Sequence, residues 1–111
     1  MNYKVIPIDK FKKEAKRLVK KYPSLKEELI ALERVLISNP ESGTPLGNNT
    51  YKVRISIKSK GKGKSGGARV ITYHLNRDKE VYLLTIYDKS EIENIEDRIL
   101  RLIVNSLSVS K

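Results

Sequence analysis

The first forty residues predict a short strand followed by two helices. Residues 2–8 form an apolar run that contains Pro7, which is typical of an edge strand or a strand end. From Asp9 onward, apolar residues recur three and four positions apart, and Pro23 divides this helical pattern into two segments. The second segment ends at residues 39–40, Asn-Pro. The pattern therefore predicts an antiparallel helical hairpin after the first strand.

The remainder of the chain predicts three strands and a last helix. Residues 41–50 are rich in Gly, Pro and Asn and predict a loop, whereas residues 51–58 alternate strictly between apolar and polar side chains. Two further strands are predicted at 68–75 and 80–87. Ser90 and Glu93 have the spacing of a helix capping box, and apolar residues recur at helical spacing from Ile92 to Leu107.

These elements predict a single α+β domain over residues 1–111. The order is β-α-α-β-β-β-α, and the strands form a four-stranded, mainly antiparallel sheet. We expect the N-terminal helical hairpin on one face of the sheet. The other face carries outward basic side chains and is shared in part with the C-terminal helix.

The positive charge of the chain limits the kinds of molecule that it is expected to bind. The chain has 111 residues and a net charge of +10, and residues 42–77 contain eight basic and no acidic side chains. Such a segment favours a polyanion as partner. The absence of cysteine and the presence of one histidine exclude disulfides, a thiolate nucleophile and a Cys- or multi-His metal site. Without a long apolar run or a signal sequence, we expect a cytoplasmic protein with no membrane partner.

Three of the predicted strands bring basic side chains together. Arg54 lies on the polar face of the second strand, Arg69 begins the third, and Tyr87 and Lys89 lie at the end of the fourth. Neighbouring strands are about 5 Å apart, so these side chains can surround one phosphate. RNA is cleaved when its 2′-hydroxyl displaces the adjacent 5′-oxygen, a reaction that needs a base, an acid and cations but in principle no metal or cofactor.

The roles within this cluster stay open at the level of sequence. We expect Arg54 and Arg69 to hold the phosphate, and a lysine of the 59–67 loop or Lys89 to act as base or charge stabiliser. Tyr87 is either an acid or a platform on which a base stacks. Tyr73 lies on the same face as Arg69 and could stack on a base, although ordinary packing is the more frequent role. His74 is a lone histidine within a strand, which is more often a structural or surface residue than a catalytic one.

Several segments resemble a known family. Residues 51–56, 60–71 and 81–91 contain the run Lys-Gly-Lys-Gly-Lys-Ser-Gly-Gly-Ala-Arg, followed by Leu-Leu-Thr-Ile-Tyr-Asp-Lys. They resemble the RelE/ParE superfamily of type II toxins, and within it the RelE/HigB-like mRNA endonucleases. The resemblance implies a fold similar to microbial ribonucleases and cleavage of mRNA in the ribosomal A site. It also implies inhibition by a cognate acidic antitoxin, through whose complex operator DNA is bound.

The resemblance also assigns residues. It implies catalytic roles for Lys52, Arg54, Arg69 and Lys89, with Tyr87 as a further candidate. It implies contacts with RNA for the basic residues at the end of the second strand and in the loop after it, which are Lys58, Lys60, Lys62 and Lys64. Some relatives have an arginine where this chain has Ser90, and a catalytic tyrosine on the last helix near residues 94–96, where this chain has none. The alternatives are a ParE-like toxin that inhibits DNA gyrase without cleaving nucleic acid, and a non-catalytic RNA-binding module.

Overall fold

The computed structural model describes residues 2–58, 66–75 and 77–109. Three helices and five strands follow one another in this part of the chain, and their bounds are β1 Lys4–Pro7, α1 Asp9–Lys21, α2 Leu25–Ser38, β2 Thr44–Gly47, β3 Thr50–Ile55, β4 Ala68–Leu75, β5 Glu80–Asp88 and α3 Asp97–Val109. The α+β class and the order of the predicted elements are confirmed. The strand order in the sheet is β1-β5-β4-β3-β2, and β1 pairs parallel to β5 while the other pairs are antiparallel.

The sheet has one strand more than predicted, because β2 lies in the segment expected to be a loop. Asn48 and Asn49 have φ angles of 52° and 64° and join β2 to β3 in a tight hairpin. Asn tolerates this left-handed conformation, and two such residues in succession suit a two-residue hairpin turn. The Thr50 hydroxyl donates a hydrogen bond of 2.6 Å to the Gly47 carbonyl and closes the turn.

The helices cover both faces of the sheet. On one face, α1 and α2 bury Phe11, Leu18 and Leu36 against the sheet. On the other face, Leu100 and Ile103 of α3 pack with Ile71, Leu84 and Tyr87. The predicted placement of the helical hairpin is therefore correct, and α3 covers part of the opposite face.

Two predicted boundaries are wrong. The second predicted strand corresponds to β3, which ends at Ile55 instead of residue 58. Ile55 pairs with Ala68, the first residue of β4, so β4 has no residue that could pair with β3 beyond Ile55. The last helix begins at Asp97 instead of near Ser90. The Ser90 hydroxyl and N–H donate hydrogen bonds of 2.8 and 2.9 Å to Asp88, so Ser90 closes a turn after β5 and does not cap a helix.

Candidate active site

Arg54, Arg69 and Tyr87 form a row across three adjacent strands. Arg54 is the register partner of Arg69, and Arg69 is the register partner of Tyr87. The His74 N–H donates to the Asn49 carbonyl, and hydrogen-bonded pairs alternate along an antiparallel ladder, so Arg54 and Arg69 form a non-hydrogen-bonded pair. In such a pair the two side chains lie closest together. The side chains of Arg54 and Arg69 therefore leave the backbone at neighbouring positions, on the face of the sheet that α3 covers in part.

A bulge in β5 places Tyr87 in this row. Ile71 pairs with Thr85 and Thr72 pairs with Leu83, so Leu84 is an extra residue without a partner on β4. Beyond the bulge the alternation of the two faces shifts by one residue, so that Ile86 faces α1 and α2 and Tyr87 faces α3. Without the bulge, Tyr87 would lie opposite Ala68 and point towards α1 and α2. The extra residue turns Tyr87 towards α3 and sets it beside Arg69.

Arg69 is a buried cation. It is 4% exposed, and its Nη1 donates a hydrogen bond of 3.0 Å to the Ala68 carbonyl. Burial lowers the pKa of Arg69, and the nearby charge of Arg54 lowers it further. The guanidinium nevertheless stays protonated at neutral pH, because the pKa of free arginine is above 12. Two guanidinium groups in neighbouring positions are suited to hold a phosphate, because each offers a planar set of N–H donors to its oxygens.

Tyr87 is buried with a hydroxyl that has no hydrogen-bond partner among the described residues. The backbone of Ile95 lies close to this hydroxyl. Burial raises the pKa of Tyr87 and Arg69 partly opposes the shift, so the phenol is protonated at neutral pH. A protonated phenol can donate a proton. The ring and its hydroxyl are both buried, so either of the two predicted roles requires RNA to reach the phenol through the cavity that Tyr87 lines.

A cavity of about 410 Å³ lies between the sheet and the segment before α3. Its lining includes Lys52, Tyr87 and Asn94. Lys52 lies on the same face of β3 as Arg54, and its Nζ donates a hydrogen bond of 3.2 Å to Asn94 Oδ1. Asn94 thus positions Lys52. The sequence did not indicate this function, because Asn94 lies in a segment whose apolar spacing predicted a helix.

The turn that carries Lys89 is held by a buried carboxylate. Asp88 is fully buried, and it accepts hydrogen bonds from Ser90 and, at 3.0 Å, from the Tyr22 hydroxyl at the end of α1. The Lys89 N–H donates to the Gly67 carbonyl at 3.1 Å, so Lys89 lies at the end of the sheet where β4 begins, close to Arg69. Its side chain is exposed. The sequence places Lys89 near the cluster but does not indicate that Asp88 anchors the turn.

Gly67 has a steric role in this arrangement. A Cβ atom built on Gly67 would lie 2.0 Å from the Ile55 carbonyl oxygen. The close approach of β3 and β4 just before the Arg54–Arg69 pair therefore requires glycine at this position.

Comparison with known proteins identifies the family. A protein-family model described as the RelE toxin of the RelE / RelB toxin-antitoxin system matches residues 4–105. The chain belongs to the RelE toxin family. A variant of the E. coli toxin RelE in the free state has a similar structure, with a TM-score of 0.61 and 17% sequence identity over 84% of this chain and 90% of that one. At this identity the likeness shows the fold alone.

Membership in the RelE family confirms the resemblance drawn from the sequence and makes the chain the toxin of a toxin-antitoxin pair, with a cognate antitoxin as partner. Members of this family are generally endoribonucleases. Within the described ranges, no helix is long and apolar enough to cross a membrane. The same residues contain no group of three or more His, Cys, Asp or Glu side chains placed to bind a metal ion.

Other predicted site residues of this RelE-family toxin lie apart from the row. Lys58 Nζ is 3.9 Å from Glu28 of α2, on the side of the helical hairpin. Tyr73 is half-buried and packs against Tyr82, with 6.4 Å between ring centroids, in agreement with the packing role. His74 is buried on the opposite face, with its Nδ1 3.6 Å from Glu41 and its ring against Tyr3. The predicted RNA-contacting residues of the loop lie outside the described residues; they are Lys60, Lys62 and Lys64.

Proposed function

We propose that this RelE-family toxin is an mRNA endonuclease of the HigB-like branch that cuts message in the ribosomal A site. The observation that carries the proposal is the Arg54–Arg69–Tyr87 row, in which two cations and a buried, protonated phenol lie side by side. The row places two cations, for phosphate binding and charge stabilisation, on strands next to the one that carries a proton donor. Such a set suits phosphoryl transfer by RNA on itself.

In the proposed reaction the 2′-hydroxyl of RNA loses its proton and its oxygen forms a bond to the adjacent phosphorus. The bond from phosphorus to the 5′-oxygen of the next nucleotide breaks, which leaves a 2′,3′-cyclic phosphate and a 5′-hydroxyl. Arg54 and Arg69 stabilise the negative charge that develops on the non-bridging oxygens. Tyr87 donates its proton to the departing 5′-oxygen. The charge stabilisation comes from guanidinium groups, so the proposal includes no metal or cofactor.

Lys52 and Lys89 are the two candidates for the group that accepts the 2′-hydroxyl proton. Lys52 lies in the cavity beside Tyr87, whereas Lys89 lies at the open end of the row. Arginine keeps the positive charge but does not give up a proton at neutral pH, so Lys→Arg substitutions separate a base from a charge stabiliser. Cutting by Lys52→Arg and loss of cutting by Lys89→Arg would assign the base to Lys89, and the reverse result would assign it to Lys52.

The main test is cleavage of a defined mRNA in a purified translation reaction, followed by primer extension. We expect Arg54→Ala and Arg69→Ala to lower the rate at least about a hundredfold, as removal of a single charge-stabilising donor does in other enzymes. Arg34→Ala, on the exposed face of α2, is the matched control and should cut at the normal rate. Circular dichroism checks the fold of each variant. Absence of cutting by the unmodified toxin would reject the proposal, and DNA breaks with added gyrase would favour the ParE-like alternative.

We also propose that the cognate antitoxin is acidic and that operator DNA is bound only through the toxin-antitoxin complex. The net charge of +10 supports an electrostatic contribution to the complex. Its dissociation constant should rise steeply between 0.05 and 0.5 M NaCl, concentrations over which screening increases. An affinity that does not change with salt would contradict an electrostatic interface.

A further inference from the structure

A carboxylate from α1 lies against the bulge in β5. Glu14 is in the middle of α1, and its Oε1 accepts hydrogen bonds from the Thr85 hydroxyl at 2.7 Å and from the Ile86 N–H at 3.2 Å. Thr85 contacts α1, and Ile86 packs in the core beneath α1 and α2, so two consecutive side chains lie on the same side of the sheet. One carboxylate oxygen therefore binds both residues between which the alternation of faces shifts.

The Ile86 N–H is buried at an edge of β5 where strand pairing has ended. The Lys89 N–H donates to the Gly67 carbonyl, and hydrogen-bonded pairs alternate along the ladder, so the Ile86 N–H points away from β4. On that side, the pairing of β1 with β5 ends at Leu83. Ile86 is 2% exposed, and a buried N–H without a partner destabilises a fold. Glu14 supplies the acceptor that a further strand residue would otherwise supply.

Lys10 fixes the orientation of this carboxylate. It lies one helical turn before Glu14, and its Nζ donates hydrogen bonds to Glu14 Oε2 and, at 3.2 Å, to Thr85 Oγ1. The ammonium group thus binds the carboxylate oxygen that the strand does not use, and Oε1 is left to face β5. Hydrogen bonds to a charged group are stronger than those between neutral groups, so the arrangement is a firm attachment of α1 to the bulge.

Glu14 binds the bulged strand and not the regular one. In a regular strand, Ile86 would lie opposite Arg69 as a hydrogen-bonded pair, and its N–H would point towards β4, away from Glu14. Tyr87 would then lie opposite Ala68, on the side of α1 and α2. A group that interacts with only one of two conformations shifts the population towards that conformation. The carboxylate therefore favours the form in which Tyr87 is beside Arg69.

We propose that Glu14 is a positioning residue of the candidate active site, which holds the bulge in β5 and so keeps Tyr87 beside Arg69. Glu14 lies on the opposite face of the sheet from the row and acts on the reaction only through Tyr87. The inference deepens the proposed function and rests on it for the consequence in catalysis. The hold on the bulge is measured separately.

The first measurement follows the strand by NMR and needs no cleavage. Glu14→Ala removes the acceptor, and Glu14→Gln keeps a carbonyl oxygen in its place. Glu33→Ala removes an exposed carboxylate from the middle of α2 and is the matched control for charge. In Glu14→Ala we expect the Ile86 amide to exchange with solvent at least about tenfold faster relative to the Val81 amide of the same strand. Glu14→Gln and Glu33→Ala should keep the ratio within about twofold.

The second measurement follows the Tyr87 ring, which packs with Leu100 and Ile103 of α3. Nuclear Overhauser contacts between the ring and these two side chains should be lost in Glu14→Ala and kept in Glu14→Gln. Thr85→Val removes one of the two hydrogen bonds from the strand to Glu14 and is used if Glu14→Ala does not fold. It should weaken the same contacts.

The third measurement is cleavage of a defined mRNA in the purified translation reaction. We expect Glu14→Ala to lower kcat at least about tenfold and to leave KM within about twofold, because displacement of a reacting group slows the chemical step. Glu14→Gln should restore most of the rate. In a Tyr87→Phe background, Glu14→Ala should cause no further loss, since two changes that act through one group are not additive.

Unchanged Ile86 exchange and unchanged Tyr87 contacts in Glu14→Ala, or in Thr85→Val if the former does not fold, would overturn the inference. An equal loss of contacts in Glu14→Gln and Glu14→Ala would overturn it too, because the amide keeps the acceptor. A loss of cleavage that is as large in the Tyr87→Phe background would show a general structural effect instead of positioning. If the unmodified toxin never cuts message, the proposed function fails, and the two NMR measurements still decide whether Glu14 holds the bulge.

Discussion

Neutralising Arg54 should stabilise the protein while it abolishes the proposed activity. Arg54 and Arg69 are direct partners in a non-hydrogen-bonded pair, and Arg69 is 4% exposed. Like charges in this position destabilise a sheet. Two unit charges roughly 6 Å apart repel by about 0.7 kcal/mol at the dielectric constant of water and by about 2.8 kcal/mol at the effective value of about 20 that applies near a protein surface. We therefore expect Arg54→Gln to raise the free energy of unfolding by about 1 kcal/mol.

The measurement is urea unfolding followed by circular dichroism, with thermal unfolding as a second probe. A gain of about 1 kcal/mol corresponds to an increase in Tm of roughly 2–6 °C for a domain of this size. Arg54→Lys keeps the charge and is the matched control, which should show little of the gain. In 1 M NaCl the screening length falls to about 3 Å, shorter than the separation of the charges, so the difference should shrink by more than half.

Inorganic phosphate provides the complementary experiment. If the pair holds a phosphate, the anion should stabilise the unmodified protein by about 1.4 kcal/mol at ten times its dissociation constant, and Arg54→Gln by much less. Phosphate should therefore reduce or reverse the stability advantage of the variant. A variant that is less stable than the unmodified protein in low salt, or that responds equally to phosphate, would show that the two arginines do not share an anion site.

Three further outcomes follow from the geometry. Tyr87→Phe should leave the urea midpoint unchanged or slightly higher, because the buried hydroxyl has no hydrogen-bond partner in the described ranges, while primer extension shows cleavage slowed about a hundredfold or more. Gly67→Ala should lower the free energy of unfolding by more than about 2 kcal/mol, because its Cβ would meet a backbone carbonyl of β3 at 2.0 Å; an unchanged urea midpoint would contradict the close approach. The hydrogen bond from Arg17 lowers the pKa of Glu91, so this carboxylate stabilises the fold at neutral pH and the contribution is lost as the pH falls through its folded-state pKa. Glu91→Gln should thus have a lower Tm than the unmodified protein at pH 7, and the difference should shrink as the pH is lowered; a difference that does not change with pH would refute the charge-based explanation.

The local elements and the charge of the cluster could be predicted from the sequence. Alternation over residues 51–55 defines the faces of β3, and the helical spacing of apolar residues defines α1 and α2, because side-chain periodicity depends on backbone geometry alone. The same periodicity did not show that Ser90 closes a turn, since a Ser-x-x-Glu spacing is compatible with more than one backbone conformation. The partner of Ser90 is the buried Asp88, which also accepts a hydrogen bond from Tyr22, a residue distant in sequence.

By itself, the sequence determined the class of fold, the basic character of its central segment and the residue types available for chemistry. The tertiary structure decided which of these chemically active residues lie next to one another. The extra residue Leu84 in β5 shifts the alternation of faces beyond Thr85, and this shift brings Tyr87 to Arg69. A bulge depends on how two neighbouring strands pair within a sheet. The sequence Leu-Leu in a buried strand is compatible with both a regular and a bulged strand, so it does not predict the bulge. The pairing of β3 with β4 likewise set Arg54 opposite Arg69, because strand register is fixed by contacts between residues far apart in the chain.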